Sequence, residues 1–114
     1  MIPATEKVVF DREGLLERLG GDTELLTELL GIFLDECQKM LAGVQSAVDA
    51  GDANRIERSA HSLKGALLNI SADAAADRAL QLEQVGRAGE FELASSLLED
   101  LQEEIQRLEF ELRA

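Results

Sequence analysis

The sequence ANRIERSAHSLKGALLNI, residues 53–70, has a clear amphipathic pattern. On a helical wheel with about 100° between successive residues, its apolar side chains fall on one stripe: Ile56, Ala60, Leu63, Leu67 and Ile70. His61 lies on the opposite side of that wheel. The pattern therefore predicts a helix that packs through its apolar stripe and directs its histidine away from the core.

Two helices are predicted before this segment. Asp11 is placed to cap a short first helix, which ends at Gly20 and Gly21. Asp22 opens a long second helix, and Gly51 ends it. The apolar stripe of this second helix comprises Leu26, Leu29, Leu30, Phe33, Cys37, Met40, Leu41, Val44 and Val48.

Residues 53–70 form the third predicted helix, and two further helices follow it. Asp52 caps the third helix, and Ser71 is the predicted N-cap of a fourth helix over residues 72–85. A last helix starts near Glu90, with a stripe of Ala94, Leu97, Leu101, Ile105, Leu108 and Leu112. Because short connections make neighbouring helices antiparallel, the sequence predicts an all-α fold, an antiparallel up-down four-helix bundle with a short extra N-terminal helix.

The remaining features concern domain organisation. Residues 1–9 lack this pattern and are predicted to be a flexible N-terminal segment or the remnant of a linker, with residues 10–114 forming the domain.

Gly31 and Gly43 fall inside the second helix, where we interpret them as points of close helix packing or of a slight bend. Cys37 lies on an apolar stripe and is interpreted as a buried thiol, and one His with one Cys predicts no metal site.

Composition narrows the classes of function. The chain has 114 residues, one cysteine and no apolar run near the roughly 18 residues of a transmembrane helix. We therefore expect a soluble, cytoplasmic, monomeric domain without direct membrane contact. A net charge of -12 argues against nucleic-acid binding. Residues 52–72 are the exception, with three basic and two acidic side chains, so an acidic partner is expected to approach there.

The helix face around His61 is a candidate reactive site. Within about 60° of the histidine on the wheel lie Asn54, Glu57, Arg58, Lys64, Gly65 and Leu68. Lys64 places a cation beside the ring, which favours the neutral, nucleophilic imidazole. The same ammonium suits the negative charge of a phosphoryl group on the ring. An ordinary surface histidine is the alternative interpretation.

Four other positions on this face suit contact with a partner. Gly65 lies one turn after His61 and leaves room for a partner's backbone or a bulky anion, although glycine weakens a helix by about 1 kcal/mol relative to alanine. Leu68 is an apolar side chain on an otherwise polar face and is a candidate docking contact. Arg58 and Glu57 are candidate contacts at the same face.

The motif AHSLKGALLNISA, residues 60–72, followed by LQLE at 80–83, resembles the histidine-containing phosphotransfer (HPt) domains of bacterial multistep phosphorelays. The segment VVFDREGLLERLGGDTELLTELLGIFLDE, residues 8–36, is similar to the family's short first helix and capped long helix. The chain departs from the family at Ser71, where a turn glycine is expected, and at Leu67 and Leu68, which replace smaller residues.

The resemblance implies a phosphorelay role. His61 would accept a phosphoryl group from an aspartate of a receiver domain or pass one on, Lys64 would neutralise it, Gly65 would admit the receiver, and Asn69 would be structural. The implied partners are receiver domains of response regulators, a hybrid histidine kinase, or both. Magnesium is expected on the receiver, with no cofactor in this chain. The chain has no phosphate-binding loop or kinase motif, so we expect neither ATP binding nor autophosphorylation.

Two other classes of function are weighed against this one. A helical-bundle adaptor would bind a partner protein with His61 incidental. A histidine-nucleophile enzyme would need a general acid and an anion pocket, and only Arg58 and Glu57 lie near. The sequence leaves open whether the chain is a free-standing protein or part of a hybrid sensor kinase.

Overall fold

The computed structural model describes residues 7–113, and these form helices and connections without any strand. The five α-helices are α1 (Arg12–Arg18), α2 (Thr23–Ala50), α3 (Ala53–Asn69), α4 (Asp73–Ala88) and α5 (Ala94–Arg113). A single 3-10 turn, Phe91–Leu93, precedes α5, which therefore begins later than predicted. The all-α prediction is confirmed. Across residues 7–113, no helix combines the length and the apolar character needed to cross a membrane.

The predicted aspartate caps of the first three helices are confirmed. The side chains of Asp11, Asp22 and Asp52 accept hydrogen bonds from backbone N–H groups three residues later, at 3.0, 3.0 and 3.2 Å. Each bond satisfies a donor that the first turn of a helix leaves without a partner. Gly51 ends α2 in the left-handed conformation, with φ of 62°.

The prediction that Ser71 caps α4 is wrong. Ala72 occupies the N-cap position without a side-chain hydrogen bond, and the N–H of Ala74 instead donates to the carbonyl of Val8 at 2.9 Å. Ser71 has a φ of 63°, a left-handed conformation that explains why the resemblance expects a glycine there. Its hydroxyl accepts a hydrogen bond from Arg18 at 2.6 Å, so it is not available to the helix.

Helices α2 to α5 enclose one core. Both α3 and α5 pack against α2 and α4. The predicted stripe of α3 is buried throughout, at Ile56, Ala60, Leu63, Leu67 and Ile70. The stripe of α5 is shifted at its start, because Leu98, which was not predicted, is buried while Leu97 is only partly buried.

Cys37 is fully buried on α2, as predicted. Burial, with a smaller contribution from the charge of Glu109, raises the pKa of the Cys37 thiol to about 11. The thiol is therefore protonated and unreactive near neutral pH.

Glycines play different parts in the helices. A Cβ atom added at Gly31 or Gly43 would meet nothing within 4 Å, so our interpretation of close helix packing at these positions is wrong, and the alternative of a slight bend stays a prediction. Gly86, inside α4, is the glycine that close packing requires. A Cβ there would lie 2.7 Å from the backbone nitrogen of Glu57 and 3.0 Å from the carbonyl oxygen of Ala53. Glycine at this position therefore lets α4 approach the backbone of α3.

The predicted N-terminal segment, residues 1–9, lies mostly outside the described residues. The part that is described passes beside the α3–α4 turn, where Val8 accepts the hydrogen bond from Ala74. The division of the chain at residue 10 stays a prediction.

Candidate functional site

His61 stands on the outer face of α3, and its side chain is 66 % exposed. Its direction agrees with the helical wheel, because the neighbours Ala60 and Leu63 are buried on the opposite side. Two buried anchors within three positions of the histidine hold this turn of helix against the core. The imidazole is thus exposed while its backbone is fixed.

A carboxylate from α4 meets this ring, and sequence reasoning did not assign it a role. Glu83 has a side chain only 5 % exposed, and its Oε2 lies 3.0 Å from His61 Nδ1. Its Oε1 accepts a hydrogen bond from Lys64 Nζ at 2.7 Å. Glu83 therefore joins the histidine and the lysine of the AHSLKG motif through one buried group.

One signal in the sequence points to Glu83. On α4 it shares a helical stripe with small buried residues, Ala72, Ala76, Ala79 and Gly86. A single charged residue on a buried stripe needs a partner of opposite charge, because an unpaired buried carboxylate is costly. The sequence shows the need for a partner, but only the packing of α4 against α3 shows which partner it is.

Neighbouring groups favour the ionised form of the Glu83 carboxyl group. Burial acts to raise its pKa, but the hydrogen bonds from Lys64 and His61, together with the positive charge of Lys64, outweigh burial and lower the pKa below its usual value. An ionised carboxylate has no proton to donate, so His61 Nδ1 must be the donor in this contact. In the neutral ring the lone pair is then on Nε2, which becomes the nucleophilic nitrogen.

Arg87, also missed from the sequence, closes the network on α4. Its Nη2 donates to Glu83 Oε2 at 3.2 Å, and its Nε donates to Glu57 Oε2 at 2.8 Å. Glu83 thus faces three donor groups, and Glu57, a predicted partner contact, is already engaged by Arg87. Arg58 is exposed on the same face and forms no ion pair within residues 7–113.

Of the other predicted site residues, Lys64 belongs to the hydrogen-bond network of His61, whereas Gly65 and Leu68 are exposed on the surface beside it. Lys64 is 20 % exposed and is bound to Glu83, so its charge is balanced within the site and is not free beside the ring. Gly65 is exposed, and a Cβ there would meet nothing within 4 Å. The fold of the chain itself therefore does not require this glycine. Leu68 is exposed, and the carbonyl of Asn69 accepts a hydrogen bond from Arg18 at 3.1 Å.

The candidate site is thus an exposed histidine on a helical scaffold, with its ring oriented by a buried carboxylate. The chain belongs to the Hpt domain family, whose family model matches residues 28–111. The structure is similar to the crystal structure of histidine-containing phosphotransfer protein B (HptB) from Pseudomonas aeruginosa PAO1. The TM-score is 0.85 at 26 % sequence identity, over 97 % of this chain and 94 % of that one. A search of curated proteins found no match.

Family membership confirms the resemblance drawn from the AHSLKG motif. It supports a histidine phosphotransfer role for this chain. Domains of this family are phosphocarriers rather than classical enzymes.

Proposed function

We propose that the chain is a phosphorelay intermediate that takes a phosphoryl group on His61 from the aspartate of one receiver domain and passes it to another. The contact between Glu83 and His61 Nδ1 carries this proposal, because it leaves Nε2 of an exposed ring as the nucleophile. The antiparallel up-down arrangement of α2 to α5 serves to hold this ring in position. The partner receiver belongs to a response regulator or to a hybrid histidine kinase.

The transfer step follows from the tautomer. The Nε2 lone pair attacks phosphorus, the N–P bond forms, and the P–O bond to the aspartate breaks and releases its carboxylate. The ring keeps its Nδ1 proton and gains positive charge, which the carboxylate of Glu83 stabilises from 3.0 Å. No proton leaves the site, so the reverse step needs only an aspartate acceptor.

The receiver supplies the remaining groups. Phosphoryl transfer needs a metal ion and charge-stabilising groups around phosphorus, and we assign the magnesium to the receiver's acidic pocket. We assign to Lys64, which is bound to Glu83 before transfer, the neutralisation of the phosphoryl charge, and Gly65 leaves space for the receiver's backbone. We propose that the chain works in the cytoplasm, without binding ATP or phosphorylating itself.

The test is phosphoryl transfer from a panel of phosphorylated receiver domains to the wild-type chain and to His61→Gln. We expect acid-labile phosphate on the wild type and none on the variant, with unchanged helical content by circular dichroism. Persistent transfer to His61→Gln would refute the proposal. Receiver binding by the wild type without any transfer would favour the adaptor function instead.

A further inference from the structure

A shallow depression lies beside the reactive histidine, at the outer face of α3 and α4. It has a volume of about 330 Å³, and Leu68, Ala76 and Leu80 contribute apolar side chains to its lining. The charged side chains that line it are Lys7, Lys64, Asp73 and Asp77. We call this feature the α3–α4 depression. Its volume lies at the small end of the range for ligand pockets, which suits one or two side chains better than a free metabolite.

The depression is continuous with the site of His61. Lys64 belongs to both, because it binds Glu83 and also lines the depression. Leu68 follows His61 by seven residues, which is about two turns, or roughly 10 Å, along the same face of α3. Gly65 lies between them, and no atom of the chain stands within 4 Å of its missing Cβ. A partner that reaches His61 can therefore extend into the depression without obstruction.

The charge of the depression is unbalanced. Asp73 and Asp77 lie four residues apart on α4 and so share one helix face. Neither carboxylate takes part in an ion pair in the described part of the chain, while Lys64 is already paired with Glu83. Asp77 receives only a long hydrogen bond from Gln81, at 3.4 Å. Lys7 is the one remaining cation that lines the depression. Because the two unpaired carboxylates outnumber this one cation, the depression suits a basic group from a partner.

We infer that the α3–α4 depression receives one apolar side chain of the receiver domain, and that Asp73 and Asp77 bind a lysine or arginine beside that side chain. This inference rests on the proposed function and names the chemistry by which the site selects its partner. The apolar contact supplies affinity, and the two carboxylates select receivers with a basic residue at the matching position. Lys64 links the depression to the His61 site, so a receiver docked in the depression is held beside the histidine.

The test compares Leu68→Asp with Leu93→Asp. Leu68 is 49 % exposed and Leu93, in the 3-10 turn before α5, is 53 % exposed, so the pair is matched in residue type and exposure. Each variant and the wild type are labelled with phosphoramidate, a small phosphoryl donor, and with the same panel of phosphorylated receivers. We expect Leu68→Asp to raise the KM for the receiver about tenfold or more, with kcat and phosphoramidate labelling near wild type. Leu93→Asp is expected to stay within about twofold.

The charge contact has its own test. The double variant Asp73→Lys, Asp77→Lys is expected to raise the KM for the preferred receiver about tenfold, and to lose the increase of KM with salt that the wild type shows. Equal KM values for Leu68→Asp and Leu93→Asp would overturn the inference and leave the proposed function standing. Loss of phosphoramidate labelling in Leu68→Asp would also overturn it, because Leu68 would then act on the histidine itself. Failure of every receiver to label the wild type would overturn both.

Discussion

The contact between Glu83 and His61 makes the sharpest prediction for reactivity. Glu83→Gln keeps the size of the side chain and an oxygen that can accept from Nδ1, but it removes the negative charge. In the transfer step the ring gains positive charge about 3.0 Å from that carboxylate. Two unit charges about 4 Å apart interact by about 4 kcal/mol at an effective dielectric constant near 20.

Solvent screening reduces this value, because the His61 side chain is 66 % exposed. We therefore expect a loss of about 1.4–2.7 kcal/mol of transition-state stabilisation, which slows transfer about 10- to 100-fold. The assay is rapid-quench transfer from a phosphorylated receiver under saturating conditions, so that the change is read in kcat. Nitrogen NMR of the ring gives an independent measurement, with the Nδ1–H tautomer dominant in the wild type and less populated in Glu83→Gln.

The control is Glu104→Gln. Glu104 is the other buried carboxylate among residues 7–113, and it pairs with Arg107 at 2.9 Å on α5, outside the His61 site. Its substitution is expected to affect stability but not kcat or the histidine tautomer. If Glu83→Gln transfers at the wild-type rate and keeps the wild-type tautomer, the assignment of Nε2 through Glu83 is refuted.

Three further predictions concern stability. Because the pKa of Glu83 is lowered in the folded protein, its charge stabilises the fold above the usual glutamate pKa of about 4.3, and this stabilisation is lost as pH falls through the lower folded value. The wild type should therefore keep its advantage over Glu83→Gln from neutral pH down to about pH 4.3 and lose it progressively as the pH falls further in denaturant unfolding, and a constant difference across that acid range would contradict this. Gly65→Ala should stabilise the chain by about 0.5–1 kcal/mol while it slows receiver transfer, because its Cβ meets only partner atoms. Gly86→Ala should instead destabilise by about 1–3 kcal/mol, because its Cβ would press on the α3 backbone. Equal effects of the two alanines in thermal and denaturant unfolding would contradict the packing argument.

Local periodicity was enough to predict the helices and the direction of His61. The stripe of α3 repeats every three or four residues, so its buried face follows from helix geometry alone. The capping aspartates are similarly local, since each binds an N–H three residues away. The error at Ser71 arose because its hydroxyl and its conformation are determined by Arg18 and by the turn, neither of which lies in the helix it was expected to cap.

The hydrogen-bond partners of His61 could not be predicted from the sequence in the same way. His61, Lys64 and Gly65 share one motif on one helix, but the group that orients the ring comes from 22 residues away on α4. The contact between Glu83 and His61 depends on how closely α3 and α4 approach each other. No local sequence pattern encodes that distance. Glu83 was visible as the last residue of the LQLE motif and as one charge on a stripe of small residues, but neither feature indicated its contact with His61, and Arg87 had no signal of its own.

The close approach at Gly86 has a consequence for control of the site. The bond that selects Nε2 spans two helices, so the identity of the reactive nitrogen depends on their separation. If a ligand or a partner increased the distance between α3 and α4 by about an ångström, the contact between Glu83 and His61 would become too long for a hydrogen bond. This change would leave His61 exposed and chemically intact but with its two ring nitrogens no longer distinguished. Transfer would thus be slowed from the far side of the helix pair without any contact with the histidine.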